Sequence, residues 1–242
     1  MANYVCSDLH GYLELYKKIK NFIKSEDTVF FLGDAGDRGP QPWETIKAIY
    51  KDSQFVYLKG NHEDLLVKAA RDYLQYDSLD YNYYLHGQNG GFDTFEQWMM
   101  EEFKADWINH LDNLPLHAEY VNKDGVNFIM THAGFTPYND RTPEVDDLLW
   151  NREHFFDRWI DCPENTVIIH GHTPISSVYD KLDFANKFRN KGAEDLPFDP
   201  DSSIYVYCGG HKICIDNRTY RTGKTVLFNL DTYEAITFKI GE

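Results

Sequence analysis

Short apolar runs and amphipathic segments alternate along the first part of the chain. Apolar side chains recur on one face at helical spacing from Tyr12 to Ile23, directly after a short strand that begins at Tyr4. The same order then repeats as the strand Thr28 to Leu32, the helix Pro42 to about Lys51, the strand Phe55 to Leu58 and a helix from about Glu63. This alternation predicts an α/β fold, with helices packed on parallel strands and functional loops at the carboxyl ends of the strands.

The pattern changes in the middle of the chain. Residues 73–108 are rich in aromatic residues and glycine, which predicts an aromatic cap with short helices. The apolar runs 116–121 and 126–131 flank a turn at 122–125 and predict a β-hairpin. The remaining predicted elements are a helix at 144–150, a polar surface insertion at 181–203, and strands at 166–169, 204–208, 213–216, 225–230 and 235–240. Residues 1–242 are therefore predicted to form a single domain that begins α/β and finishes antiparallel.

Composition narrows the classes of partner. The 242 residues include 39 acidic and 24 basic side chains, and the net charge is -15. Binding to a nucleic acid polymer or an anionic membrane is disfavoured, because there is no basic surplus to neutralise phosphates. A small phosphorylated substrate is compatible with this charge.

The apolar runs and the cysteines suggest a compartment. No run approaches the ~18 apolar residues of a membrane span, and the first residues do not form a secretory signal. The cysteines have no metal-binding spacing and are predicted to be reduced, mostly buried thiols; they are Cys6, Cys162, Cys208 and Cys214. We therefore expect a cytoplasmic protein.

Candidate chemistry is concentrated in the loops that follow the predicted strands. The segment Gly33-Asp34-Ala35-Gly36-Asp37-Arg38-Gly39 comes directly after the second strand. Its glycines permit sharp turns and close approach to a ligand, and Asp34 can give one oxygen to each of two metal ions. Arg38 has a planar guanidinium group that suits phosphate oxygens.

Two more strand ends have candidate metal ligands. Asp8 and His10 follow the first strand, and side chains two residues apart in an extended chain point to the same side. Asn61 follows the third strand and offers an amide oxygen beside the imidazole of His62. For both Asp8 and Asn61, capping of the following helix is the alternative interpretation.

His132 and His172 also lie just past apolar strands. A lone histidine in such a place is more often structural. Here, however, an α/β fold would bring these strand ends together with those of Asp8, Asp34 and Asn61. The combined pattern favours a metal site.

The ordered set of these segments resembles a known family. The sequence is similar to the phosphoprotein phosphatase family of metallophosphoesterases, and closely to the small bacterial and phage serine/threonine phosphatases. The resemblance covers roughly residues 3–175 and the terminal strands. Its motifs are Asp8-x-His10-Gly11, Gly33-Asp34-x-x-Asp37-Arg38-Gly39, Gly60-Asn61-His62-Glu63, His132-Ala133-Gly134 and Gly171-His172-Thr173. It implies a calcineurin-like fold, in which two packed mixed β-sheets are flanked by helices.

The resemblance also implies roles for the candidate residues. It makes Asp34 a bridge between two divalent cations, the first bound also by Asp8 and His10, the second also by Asn61, His132 and His172. It makes His62 the general acid, held by Asp37, and assigns phosphate binding to Arg38, Arg152 and Asn61. Two cations about 3.5 to 4 Å apart can activate water and stabilise charge in in-line displacement. The donor set lacks thiolates, which favours Mn2+, with iron or zinc as alternatives.

Several alternatives remain open at this stage. His170 competes with His172 as a ligand, because a single glycine separates them. The alternative for Arg152 is a surface ion pair with Glu153 or another neighbour. The aromatic residues of the cap either belong to the core or form a wall over the metals; they are Tyr81, Tyr83, Tyr84, Phe92 and Trp98. Surface or packing positions are predicted for the other histidines, His86, His110, His117, His154 and His211.

The expected function is hydrolysis of phosphoserine and phosphothreonine in proteins by a dimetal-activated water, with His62 as general acid. The alternative is hydrolysis of a symmetrical dinucleoside tetraphosphate, because relatives with closely similar motifs do this chemistry. A catalytically silent phosphate-binding scaffold is a third hypothesis. The motifs specify the reaction and not the leaving group.

Overall fold

A computed structural model describes residues 1–135, 144–152, 154, 165–180, 182, 199 and 201–242. The first part of the chain forms the predicted alternation of strands and helices. Its elements are β1 (Asn3–Cys6), α1 (Leu13–Phe22), β2 (Thr28–Phe31), α2 (Pro42–Lys51), β3 (Phe55–Tyr57) and α3 (Asn61–Tyr76). Strand β1 pairs with β2 and β2 with β3 in parallel, which confirms the predicted α/β arrangement.

The aromatic cap contains three short helices and one π-helical turn. These are α4 (Tyr81–His86), the turn Gly87–Gly91, α5 (Phe92–Met99) and α6 (Lys104–Asp112). Trp98 is fully buried and Tyr83 packs against the core, whereas Tyr81 and Tyr84 are 74% and 54% exposed. The cap aromatics therefore divide between core and surface.

The second part of the chain builds another sheet and completes the first. Its elements are β4 (His117–Val121), β5 (Asn127–Thr131), α7 (Val145–Trp150), β6 (Thr166–His170), α8 (175–180 among the described residues), β7 (Tyr205–Tyr207), β8 (Lys212–Cys214), α9 (Thr219–Thr222), β9 (Lys224–Asn229) and β10 (Ala235–Lys239). The predicted hairpin is present as the antiparallel pair β4 and β5. Helix α3 begins at Asn61, two residues before the predicted start.

The two sheets are mixed and have five strands each, in the orders β10-β9-β1-β2-β3 and β4-β5-β6-β8-β7. One core cluster joins them, with Val5, Phe30 and Phe228 from the first sheet and Phe128 and Ile169 from the second. A larger cluster packs the first sheet against α1, α2 and α3. This is the architecture that the resemblance implied.

The remaining sequence-based expectations have different outcomes. Cys6, Cys208 and Cys214 are free thiols, and Cys6 and Cys214 are buried. Cys162 and most of the predicted insertion 181–203 lie outside the described residues. Within the described ranges, none of the helices is both long enough and apolar enough to cross a membrane.

Candidate dimetal active site

The candidate ligands lie at the carboxyl ends of strands from both sheets. In chain order, the residues that follow β1, β2, β3, β5 and β6 are Asp8 with His10, Asp34, Asn61, His132 and His172. All six are buried, and we call them the ligand cluster. The parallel strands explain the convergence, because their carboxyl ends meet at one edge of each sheet.

The backbone of the cluster is unusual. Asp8, His10, Asp34 and His172 have φ angles of 53°, 44°, 59° and 60°. The left-handed region costs non-glycine residues on the order of 1 kcal/mol each, and such strain collects at functional sites. The expectation that Asp8 and His10 share one side of an extended chain is therefore wrong, because β1 ends at Cys6 and both residues turn. Nor does Asp8 cap α1, whose first flanking residue is Tyr12.

Glu63 holds two of these loops together. Its carboxylate accepts hydrogen bonds from the backbone N–H groups of Asp34, Ala35 and Gly60, each at 2.8 Å. A Cβ on Gly33 would lie 2.4 Å from the nitrogen of Gly60, so the loops touch backbone to backbone. Glu63 belongs to a recognised motif, but this role was not predicted from the sequence.

Two triplets of ligand atoms lie within 4.8 Å of one another, His10 with Asp34 and His62, and Asp8 with Asp34 and His132. Asp34 belongs to both, as expected of a bridging carboxylate. The triplets differ from the predicted sets, because His62 joins His10, and Asp8 lies with His132. The structure therefore brings Asp8, His10, Asp34 and His132 together, and the assignment of each to one of two cations stays a prediction.

The orientation of His132 shows that the cluster suits a cation. Its Nδ1 lies 2.8 Å from the carbonyl oxygen of Leu32 and must donate to it. Burial lowers the pKa of His132 to about 3, so the ring is neutral. Since Nδ1 has the proton, Nε2 is unprotonated and has a lone pair. That lone pair faces Asn61 Oδ1 at 2.8 Å and Asp34 Oδ1 at 3.5 Å. Converging lone pairs of this kind fit a bound metal ion.

The carboxylates lead to the same conclusion. Burial, and then the charge of Asp216, raises the pKa of Asp8 well above its ordinary value. Burial, and then the charge of Asp8, does the same to the pKa of Asp34. Charged carboxylates in such a place require a positive partner, and a divalent cation supplies one.

The structure separates the two rival histidines. His172 Nδ1 lies 2.9 Å from Asn61 Oδ1, and its backbone N–H donates to the carboxylate of Asp8. The ring of His170 points away from the cluster, toward the hydroxyl of Tyr207 and the ring of His154. Asn61 itself is the first residue of α3, and its side chain faces the histidines rather than capping the helix.

His62 is held by a buried acid. Its Nδ1 lies 2.5 Å from Asp37 Oδ2. Asp37 also accepts from Thr94 Oγ1 at 2.5 Å and contacts His86 Nε2 at 3.0 Å. Although burial opposes it, the charges and hydrogen bonds of His86 and His62 lower the pKa of Asp37. Burial in turn lowers the pKa of His62, and Asp37 opposes this shift.

His86 corrects one sequence-based prediction. It was expected to lie at the surface or in packing, yet its ring contacts the residue that orients His62. The cap therefore supports the site through His86 and Thr94. It also contacts Arg38, whose backbone N–H donates to Gly90 O and whose Nε donates to Asn89 O.

Arg38 contacts two imidazoles directly. Its Nη1 and Nη2 donate to His10 Nε2 and His62 Nε2, both at 2.8 Å. A cation bound by His10 Nε2 would require this guanidinium to swing toward the cleft. The guanidinium carbon of Arg38 lies 4.5 Å from the centre of the Tyr220 ring, within the range of a cation–π contact.

A cleft of about 210 Å³ lies over the cluster. Its lining includes Arg38, Arg152, Arg218 and Tyr220, which we call the arginine rim. Arg152 donates to Thr173 Oγ1 at 3.2 Å; its predicted alternative partner, Glu153, lies outside the described residues. Burial raises the pKa of Tyr220, but the Arg218 hydrogen bond and the nearby arginine charges outweigh it and lower the pKa overall.

Arg218 and Tyr220 were not predicted from the sequence. They belong to the segment before β9, which has no motif, and only its nearness to Asp216, two residues past the end of β8, could have indicated a role. Among the described residues, no aromatic side chain of the cap lines the cleft. Trp150 and Tyr220 are the aromatic residues that line this cleft among the described residues.

Comparisons with known proteins find relatives that are named as bis(5'-nucleosyl)-tetraphosphatases. A bis(5'-nucleosyl)-tetraphosphatase PrpE [asymmetrical] from Oceanobacillus iheyensis is 25% identical over 206 residues, 71% of this chain and 76% of the relative. A symmetrical bis(5'-nucleosyl)-tetraphosphatase from Vibrio cholerae is 30% identical over 145 residues, 58% of this chain. The aligned part is 47% of that relative, so the match spans about half of its length.

The fold comparison extends over the whole chain. A crystal structure described as a candidate diadenosine tetraphosphatase superposes with a TM-score of 0.62 and 15% identity, covering 98% of this chain and 92% of the other. The profile of the calcineurin-like phosphoesterases matches residues 3–214. With the two mixed sheets and the ligand cluster at their carboxyl ends, this match shows that the chain belongs to the calcineurin-like phosphoesterase family.

Proposed function

We propose that this metallophosphoesterase hydrolyses a dinucleoside tetraphosphate. The observation that carries the proposal is the arginine rim, in which Arg38, Arg152 and Arg218 line one cleft over the ligand cluster. Guanidinium groups pair with phosphate oxygens in a planar, bidentate geometry, and two of them can surround a single phosphoryl group. A third arginine suits a chain of phosphates. The names of the two relatives support the same class of substrate.

The ligand cluster is the proposed site of two divalent cations. When bound, the cations would hold phosphoryl oxygens and lower the pKa of the attacking water. The proposed ligands are Asp8, His10, Asp34, Asn61, His132 and His172. Their oxygen and imidazole donors, without thiolate, support manganese as the proposed metal.

His62 is proposed to protonate the leaving oxygen. Asp37 holds Nδ1, so Nε2 is directed into the cleft, where Arg38 contacts it at 2.8 Å. Water loses one proton to solvent and forms the new bond to phosphorus as the anhydride bond breaks, and the bonding pair leaves with the departing phosphate oxygen. Once Arg38 turns from His62 Nε2 to the phosphate oxygens, Nε2 can take up a proton from solvent and give it to the departing oxygen, while Arg152 holds other oxygens of the same group.

The test compares kcat/KM for diadenosine tetraphosphate and for a phosphothreonine peptide. The protein is stripped of metal and reloaded with Mn2+. We expect the dinucleotide to be preferred by more than about 100-fold, or ~2.7 kcal/mol of transition-state discrimination. Chromatography would detect either two molecules of ADP or ATP with AMP, and each pair of products supports the proposal. A preference for the peptide would contradict it.

The second candidate is the serine/threonine protein phosphatase expected from the sequence. Its supporting observation is that His62, Arg38 and Arg152 all line the one cleft over the ligand cluster. Those three side chains are sufficient for a phosphomonoester. A preference for the phosphothreonine peptide in the same experiment would favour this candidate.

A further inference from the structure

A second cavity adjoins the cleft over the ligand cluster. It has a volume of about 270 Å³, compared with about 210 Å³ for the cleft. Pro174, Asp216 and Arg218 line both, so the two spaces meet along these residues. Arg221 and Lys224 line the second cavity but not the cleft. A ligand anchored at the metals could therefore extend past Arg218 toward Arg221 and Lys224.

Three basic side chains line this cavity together. Elsewhere, some basic side chains are paired with carboxylates, among them Lys20 with Asp52 at 2.7 Å and Lys47 with Glu101 at 2.7 Å. In the parts of the chain that the structure describes, Arg218, Arg221 and Lys224 form no salt bridge. These three cations outnumber the one carboxylate that lines the same cavity, Asp216, and in a chain with a net charge of -15 they indicate an anionic ligand.

The backbone presents Arg218 between the two spaces. Its φ is 56°, and its N–H donates to Asp216 Oδ1 at 2.6 Å. This hydrogen bond engages the buried carboxylate of Asp216, which lines both cavities. Holding a bulky residue in the left-handed region is costly and is found where the surroundings fix the conformation.

Tyr220 connects the cavity with the ligand cluster. Its ring packs edge-on against His10, with ring centres 5.5 Å apart, and the guanidinium carbon of Arg38 lies 4.5 Å from its centre. The guanidinium carbons of Arg218 and Arg221 lie 5.8 Å and 5.9 Å from the same centre. A row of cations thus passes from the cluster to the second cavity around a single aromatic ring.

We propose that the cavity of Arg218, Arg221 and Lys224 binds the phosphates of a nucleoside polyphosphate beyond the one under attack. The inference rests on the proposed function, because it names where the rest of the tetraphosphate lies. It makes these three residues specificity determinants that favour a polyphosphate over a simple phosphomonoester.

The test uses the double variant Arg221→Gln/Lys224→Gln, which changes the second cavity and leaves Arg218 in place. The matched control is Lys17→Gln/Lys123→Gln, which removes two exposed charges that line neither cavity. For each Mn2+-loaded protein, kcat/KM is measured with diadenosine tetraphosphate and with 4-nitrophenyl phosphate. Calorimetry with inorganic tripolyphosphate gives a dissociation constant that does not depend on turnover.

We expect the ratio of the two kcat/KM values to fall by at least about 10-fold in the double variant, and by less than about two-fold in the control. The dissociation constant for tripolyphosphate should rise by about five-fold or more. If the wild-type protein hydrolyses the dinucleotide and the variant keeps the wild-type ratio, the inference is wrong and the proposed function stands.

The two proposals can also fail in the opposite way. If the wild-type protein does not hydrolyse the dinucleotide, the proposed function is wrong, and the tripolyphosphate titration decides the inference. If the double variant binds tripolyphosphate more weakly than the wild type and the control does not, the result would then support a polyphosphate cavity. Equal binding by the wild type, the double variant and the control would overturn it.

Discussion

The ligand cluster and the arginine rim lie one above the other but are built differently. Asp34 and His132 are 2% and 0% exposed, and each is fixed by backbone hydrogen bonds. Arg38 and Arg152 are exposed, and Arg218 and Tyr220 are half-buried. The cluster is thus set in place by folding, whereas the rim consists of long side chains that can adjust to a substrate.

This difference has energetic consequences. Charges inside a protein interact through a low effective dielectric constant and are little affected by salt, whereas exposed charges are screened within about 10 Å at 0.1 M ionic strength. A change in the cluster should therefore abolish chemistry at any salt concentration. A change in the rim should weaken binding moderately, and more so at low salt. Four substitutions test this contrast.

The largest effect is expected for Asp34→Asn. Asp34 belongs to both ligand triplets, so the substitution removes a charge from both proposed metal positions. We expect both metals to be lost and kcat/KM to fall by about 10⁴-fold or more, as measured by elemental analysis and steady-state kinetics. Asp106→Asn, on the exposed surface of α6, is the matched control. A variant that keeps two metals per chain would contradict the bridging role.

His62→Asn should lower kcat by about 10² to 10³-fold. The loss should be greater for a phosphothreonine peptide than for 4-nitrophenyl phosphate, because nitrophenolate leaves without a proton. Metal content distinguishes two roles, since the ring of His62 also lies in one ligand triplet. Retained metal supports the general acid. Loss of one metal would identify His62 as a ligand, and undiminished turnover would exclude both roles.

Gly33→Ala tests how closely the loops of the cluster approach each other. Gly33 has a φ of 93°, and its added Cβ would lie 2.4 Å from the nitrogen of Gly60. The control, Gly125→Ala, also has a positive φ, 78°, but its Cβ would meet nothing within 4 Å. We expect the free energy of unfolding to fall by about 3 kcal/mol or more in Gly33→Ala and by about 1 kcal/mol in Gly125→Ala. Equal losses in urea titrations would show that the loops can separate.

The same contrast explains what the sequence could predict. Asp34, Asn61 and His132 follow apolar strands, so the fold and the ordered motifs together place them at one edge. His86 could not be found in this way, because it contacts Asp37 from 49 positions away, across a cap without a motif. The left-handed backbone at Asp8 could not be found either. Local propensity favours glycine in this conformation, and at Asp8 tertiary packing overrides that propensity.

The rim was predicted least well, for a related physical reason. Arg38 and Arg152 were found because they lie in or near motifs, whereas Arg218 reaches the cleft from a segment before β9 with no motif. An exposed arginine has the same appearance in a sequence whether it faces a cleft or bulk water. Its role depends on which side chains the fold places beside it, here Tyr220 and Asp216.

The smallest expected effect is that of Arg152→Gln. Arg152 lines the cleft and donates to Thr173, and its side chain is exposed. With 4-nitrophenyl phosphate, KM should rise by about 10-fold at low salt while kcat changes little, because the interaction binds ground state and transition state alike. Lys17→Gln, with the same loss of charge on α1, is the control for net charge.

Salt dependence then decides to which region Arg152 belongs. The Debye length falls from about 30 Å at 0.01 M to about 3 Å at 1 M ionic strength, so the difference in KM between wild type and Arg152→Gln should shrink as salt is added. The deficit of Asp34→Asn should stay constant over the same range, because its charge is buried. A deficit of Arg152→Gln that does not change with salt would place this side chain with the cluster, as a desolvated partner of the phosphoryl group. The contrast between cluster and rim would then hold only for Arg38 and Arg218.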